Sequence, residues 1–326
     1  MNSKLSFRPD GTFTIVQFTD LHWMDGRAED QQTRELMELV LKAEQPDLVI
    51  FTGDTIYTGP VREGELPCQD PKQAFRDAVA AVVNSGVPWA FVFGNHDTEN
   101  GVTYSELMEI AQESPQCLAE AGPAELAGSS NYVLEIEGAG NHAGAILYML
   151  DTGAYSPLEQ IPGYSWVRRN QMDWLAEQSA RLNPGEGKAK RPALAFFHIP
   201  LPEYDEMWNT EVCYGHKYER VCAPVLNSGL FATLVEMGDV AGTFCGHDHI
   251  NDFTGTLHGI RLSYGRATGY NTYGHDNLKR GARVIRLEQN HPSFDTWLRL
   301  ADGSRCTEQP AHTPPPCCRF TTLTTT

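Results

Sequence analysis

The chain has 326 residues, with 25 Lys plus Arg against 42 Asp plus Glu and a formal charge of −17. That length can bury a large core, and 41% hydrophobic residues is an ordinary globular composition. The acidic balance excludes a general nucleic-acid or anionic-membrane binder, which needs a basic footprint, but not a small phosphate substrate, because bound metal ions reverse the field locally.

Taken in chain order, FTIVQF (13–18) is a short β-rich apolar run. From Glu29 to Ala43, Leu36, Leu39, Val40 and Ala43 recur at helical spacing until Pro46-Asp47 breaks the pattern. LVIFT (48–52) reads as a buried strand, Ala74 to Val83 as a helix ended near Gly86-Val87-Pro88, WAFVF (89–93) as a strand and Tyr104 to Gln112 as a short helix. YVLEIE (132–137) alternates as a half-exposed strand does, and AILYMLD (145–151) is a buried one. Gln171 to Leu182 is a helix, ALAFF (193–197) a strand, Leu230 to Met237 a helix and VAGTFC (240–245) a strand. The end is β-rich: GIRLSYG, ARVIRLE (282–288) and SFDTWLRL (293–300). Alternating β and α predicts layers with helices over sheet faces, and ligands beyond the carboxyl ends of the strands. One domain spans 1–302. The Pro- and Thr-rich segment 303–326 has little to bury and reads as a disordered tail.

No stretch is long enough to span a membrane and the N-terminal residues lack an apolar signal core, so the expected location is cytoplasmic. The eight cysteines show no CxxC spacing and read as free thiols. Cys213 and Cys222 flank one loop and would pair only in an exported protein. Cys317-Cys318 belong to the tail.

The chemistry sits where the apolar runs end. Asp20 and His22 are two apart after FTIVQFT, a spacing that lets both reach one ion from an extended segment. Asp54 follows LVIFTG, where glycine permits a sharp turn and a carboxylate can bridge two ions. After WAFVFG come Asn95, whose amide oxygen can ligate a metal, His96, which can stand free as an acid, and Asp97, which can hold that imidazole's other nitrogen. His198 ends ALAFF, and His247 and His249 form an HxH after VAGTFCG. Singly, each has a bland alternative: a turn Asp, a helix cap or a structural His. Jointly, five strand ends deliver carboxylate, amide and imidazole groups, which is the donor set of a dinuclear metal site. Softer candidates are Tyr204 and the Asp205 and Glu206 beside it in the loop after His198, and Tyr264 and Arg266, of which Arg266 could grip a phosphate oxygen. His275 in YGHD follows no apolar strand and reads as a loop histidine.

In this order, DLH, GD, GNHD, a lone H and GHDH resemble the calcineurin-like metallophosphoesterase family, from about Phe13 to about Leu300. WAFVFGNHD, ALAFFHIPLPEY, NSGLFATLVEMGDV and FCGHDHINDF resemble a narrower branch, plant, fungal and bacterial proteins often labelled probable inactive or atypical purple acid phosphatases. The resemblance implies an α/β (α+β) fold, a four-layer β-sandwich flanked by helices. It also implies two metal ions, iron, manganese or zinc. Asp20, His22 and His249 would hold one, Asn95, His198 and His247 the other, and Asp54 would bridge them. His96 would meet the phosphoryl group or protonate the leaving oxygen, with Asp97 orienting it. The implied reaction is hydrolysis of a small-molecule phosphate ester. The acidic charge and the scarcity of Lys or Arg beside the motifs tilt the expectation toward diesters or broad mono- and diester specificity. In true purple acid phosphatases the first motif lacks the His, and a tyrosine three residues after the bridging Asp binds ferric iron. This chain has both His22 and Tyr57, so Tyr57 is not expected to be a strong ligand. The family also contains protein phosphatases, and its fold can serve as a non-catalytic scaffold, though such proteins usually lose ligands or the acid His.

Overall fold

The computed structural model describes residues 4–138, 144–184 and 190–315. The first half contains β1 (Leu5–Ser6), β2 (Thr12–Phe18), α1 (Ala28–Glu44), β3 (Leu48–Thr52), α2 (Pro71–Ser85), β4 (Trp89–Val92), α3 (Tyr104–Ala111), β5 (Tyr132–Glu137) and β6 (Ala145–Met149). The second contains α4 (Arg169–Leu182), β7 (Ala193–Phe196), α5 (Glu203–Thr210), β8 (Cys213–Tyr214), α6 (Leu230–Met237), β9 (Val240–Cys245), β10 (Thr254–Leu257) and β11 (Ile260–Tyr264). The chain continues into β12 (Gly281–Glu288), β13 (Phe294–Leu300), β14 (Arg305–Cys306) and β15 (Ala311–His312).

The strands form two sheets, ordered β14-β13-β12-β2-β3-β4 and β1-β5-β6-β7-β9-β11-β10-β8-β15. Within the first, β2, β3 and β4 are parallel, and within the second, β6, β7, β9 and β11 are parallel. Alternation along the strands decides the layering. Leu147 and Met149 of β6, with Phe196 of β7 and Phe244 of β9, belong to the same core as Ile15, Ile285 and Phe294 of the other sheet. Ring contacts of 5.1 Å between Phe196 and Phe244 and 5.3 Å between Phe244 and Phe294 stitch the two sheets together. The alternate residues Ile146, Tyr148 and Ala195 instead pack with Leu175 of α4 and Leu230 and Leu234 of α6. On the far side, Met37 and Val40 of α1 and Ala78 and Val82 of α2 join the six-stranded sheet. The result is helix, sheet, sheet, helix, the expected four layers.

Local chemistry sets the helix ends. Asp70 accepts the Gln73 amide at 3.0 Å, Pro71 opens α2, and Gly86 closes it at φ 74°. Thr103 and Glu106 form a reciprocal cap on α3.

Two expectations need correction. The loop expected after His198 winds into α5, with Tyr204 inside it. The tail expected from residue 303 is placed as far as Pro315: β14 pairs with β13 and β15 with β8. His312 stacks on Trp208 at 3.8 Å and Gln309 donates to Asp252 at 2.9 Å, so this segment gains partners that its composition hid. Residues 316–326, with Cys317 and Cys318, lie outside the described residues. Cys213 and Cys222 are both free thiols. Among the described residues no helix is long and apolar enough to cross a membrane.

Candidate metal centre

Five parallel strands stop at one edge of the sandwich. The residues just beyond them are Asp20 and His22 after β2, Asp54 after β3, Asn95 and His96 after β4, His198 after β7, and His247 and His249 after β9. Asp20, His22, Asp54 and His249 form one compact donor group, and Asp54, His198 and His247 form another, so Asp54 is common to both. All of these residues are buried. The backbone bends sharply to gather them. Asp20, His22, Asp54 and His247 all have positive φ, at 53°, 51°, 50° and 78°. Such conformations cost a non-glycine residue about 1–3 kcal/mol each and persist where the surroundings impose them. Gly53, at φ 88°, clears the way: a Cβ there would meet His198 Nδ1 at 2.5 Å.

Oxygen and nitrogen donors face each other here with too few protons between them. Asp54 Oδ2 lies 3.4 Å from His22 Nε2 and 3.2 Å from His198 Nε2. His249 Nε2 is 3.5 Å from Asp20 Oδ1. His198 Nδ1 donates to the Thr52 carbonyl at 2.8 Å, so its Nε2 is turned to Asn95 Oδ1 and His247 Nδ1, both at 3.2 Å. The Asn95 amide nitrogen donates to the Tyr155 hydroxyl at 3.4 Å, which fixes its oxygen toward the site. Three buried atoms, His22 Nε2, Asp54 Oδ2 and His247 Nε2, have no hydrogen-bond partner among the described residues. Buried polar atoms left without a partner are costly, and cations placed between them would satisfy them. The donor set fits a pair of metal ions.

The electrostatics agree. Burial pushes His22 down to about 4 and His247 well below the usual imidazole value. Burial pulls His198 the same way, but the Asp54 and Asp20 carboxylates outweigh it and hold it up at about 10. Burial would raise Asp54, yet His198 and His96 hold it well below the usual carboxylate range.

His96 stands at the edge, with its side chain 23% exposed. Its amide donates to Asp54 Oδ1 at 2.8 Å, and its Nδ1 meets Glu99 Oε2 at 2.6 Å. Glu99 in turn accepts the Tyr155 hydroxyl at 2.6 Å. Asp97 does not orient His96. Its carboxylate turns inward and accepts the amides of Gly94 at 2.7 Å, Ile56 at 3.0 Å and Asp54 at 3.1 Å, tying the loops after β3 and β4 together. Burial and the Asp54 charge push it up to about 7.

The softer candidates Tyr204, Tyr264 and Arg266 are engaged by other groups of the fold. Tyr204 is fully buried, its hydroxyl bonded to Thr243 at 2.9 Å. Arg266 is buried in an ion pair with Asp252 at 2.8 Å, so its guanidinium is already engaged. Tyr264 is also buried and donates to Asp248 at 2.6 Å, anchoring the loop that presents His247 and His249. His275 stacks on Tyr218 at 3.9 Å, away from the donor groups. The Tyr57 hydroxyl donates to the Pro60 carbonyl at 2.7 Å, and its ring stacks on His22 at 5.3 Å. Glu99, Tyr155 and Thr272, whose hydroxyl meets His249 Nδ1, were missed by sequence reasoning. Their only signal is Glu99's place three residues after His96, which on its own matches any turn acid.

A fold with this edge and this donor set defines a dimetal phosphoesterase scaffold. A family described as calcineurin-like phosphoesterase matches residues 13–251, and the chain belongs to that family. It is 36% identical to Probable inactive purple acid phosphatase 29 of Arabidopsis thaliana, over 92% of this chain and 85% of that protein. It is 33% identical to Phosphatase DCR2 of Saccharomyces cerevisiae, over 91% of this chain and 55% of that protein. In structure it resembles a dimetal phosphatase from Danio rerio with a TM-score of 0.56 and 14% identity, over 87% of this chain and 98% of that one.

Proposed function

We propose that this chain hydrolyses phosphate esters, either diesters or a broad range of mono- and diesters, using two metal ions. Asp20, His22 and His249 would hold one ion, and Asn95, His198 and His247 the other. The observation that carries this reading is the Asp54 carboxylate, common to both donor groups, whose buried Oδ2 makes no hydrogen bond among the described residues. Two ions bound there supply Lewis acidity toward phosphoryl oxygens and lower the pKa of water enough to give a nucleophile near neutral pH. The donor types suit iron, manganese and zinc alike.

The chain's own residues do the rest. Asp54 fixes the spacing of the two donor groups, and its other oxygen holds the His96 amide. Glu99 fixes the His96 ring from Nδ1, which leaves Nε2 as the atom that can hold a proton for the leaving oxygen, a role worth about 10²–10⁴ in rate. With Arg266 engaged by Asp252, the arginine expected to grip a doubly charged monoester is committed elsewhere, which supports the diester or broad reading. Asp54→Asn tests the assignment: both ions should bind more weakly and turnover should disappear. Full metal content with retained turnover would reject it.

The protein-phosphatase alternative calls for a peptide-wide groove between His198 and Cys222, and α5 occupies part of that stretch. The scaffold alternative draws on the word "inactive" in the name of a relative. The complete ligand set and His96 favour the hydrolase.

A further inference from the structure

A cleft of about 530 Å³ opens beside His22, His96 and His249. We propose that it seats the leaving group of the ester, and that it selects a flat aromatic one. This rests on the hydrolytic reading above, because His96 can serve a leaving oxygen only if the rest of that group lies on its side of the centre.

Two tyrosines shape the cleft. The Tyr57 ring is 4.8 Å from His96 and 5.3 Å from His22. The Tyr273 ring is 4.3 Å from His249, and the residue is 50% exposed. Both hydroxyls are engaged: Tyr57 donates to the Pro60 carbonyl at 2.7 Å, and Tyr273 to Glu219 Oε2 at 2.8 Å. Their polar ends are therefore committed, and the cleft receives ring surface. A ring tethered at its far end also loses little freedom when a second ring stacks on it.

Charge does not compete with this surface. Arg27 and Arg62 line the cleft together with Glu29 and Glu65, so the lining is balanced and offers no net positive site for a second phosphate. Size points the same way. The volume lies in the range of small-molecule pockets, and a methyl or ethyl group would leave most of it to water, whereas a ring system fills it.

The test compares binding of phenylphosphonate and methylphosphonate, which cannot be hydrolysed, to the metal-reloaded protein by calorimetry. Metal content is measured for every variant. Phenylphosphonate should bind more tightly. Tyr273→Ala should reduce that preference roughly 3- to 10-fold, the size of a lost aromatic contact. Tyr273→Phe keeps the ring and should keep the preference. Equal binding of the two ligands to the wild-type protein, or a preference unchanged in Tyr273→Ala, overturns the proposal. The two readings fail differently. Turnover on esters with no aromatic preference rejects the subsite alone, whereas an intact preference without turnover rejects the hydrolase.

Discussion

Glu99→Gln keeps the size of the group behind His96 and removes its charge. If Glu99 holds the ring through Nδ1, turnover should fall roughly 10- to 100-fold while both ions stay bound, because neither Glu99 nor His96 belongs to the two donor groups. The loss should be larger for esters with poor leaving groups, which need the proton most. An equal loss across leaving groups would assign Glu99 a purely structural role. Tyr57 gives a spectroscopic prediction. With its hydroxyl committed to Pro60, iron-loaded protein should show no visible tyrosinate band, and a band lost in Tyr57→Phe would contradict the geometry. Ion binding should also release protons. His22 and His247 are pushed down and are neutral at pH 7, but His198, held up at about 10, carries a proton that a cation must displace. Apparent affinity should therefore rise as pH rises from 6 to 8, with about one proton released per chain, as measured by calorimetry in buffers of different ionisation enthalpy. At this scale the clustered donor residues were legible because each follows an apolar strand. Glu99 and Tyr155 were not, because their role depends on a contact between residues 56 positions apart.

The strand-to-loop turns carry the strain of the site. Gly53→Ala would place a Cβ against the His198 ring at a φ that favours glycine, so both melting temperature and metal content should fall. Unchanged metal content would show that the turn has slack. The buried strands announced themselves by continuous apolar runs, as in LVIFT and WAFVF, and the helices by their spacing. α5 did not, because its first turn holds Glu203, Asp205 and Glu206 and its buried face comes down to Tyr204 and Met207. β14 and β15 are two residues long and take their stability from partners far away in sequence. Deleting residues from Ser304 onward removes the His312 stack on Trp208 and the Gln309 bond to Asp252. Hydrogen exchange in α5 should then quicken, with metal content unchanged; unaltered exchange would mean that the tail is a passenger.

At the scale of the whole molecule, two sheets packed face to face bring loops from both to one edge, so that Asp54 of the six-stranded sheet meets His198 and His247 of the nine-stranded one. Alternating β and α predicted the layers, and the order of the motifs predicted which strand ends meet. The charges available to substrate were not legible, because the sequence leaves Arg266 open between gripping a phosphate oxygen and pairing with an acid, and only the fold shows it spent on the buried Asp252 carboxylate. The most direct test of the account pairs metal content with hydrolysis of matched nitrophenyl phosphate mono- and diesters, after reloading with iron, manganese or zinc. The account predicts about two ions per chain and metal-dependent turnover. Failure to bind metal after reloading, or two ions with no turnover of either ester, would contradict it.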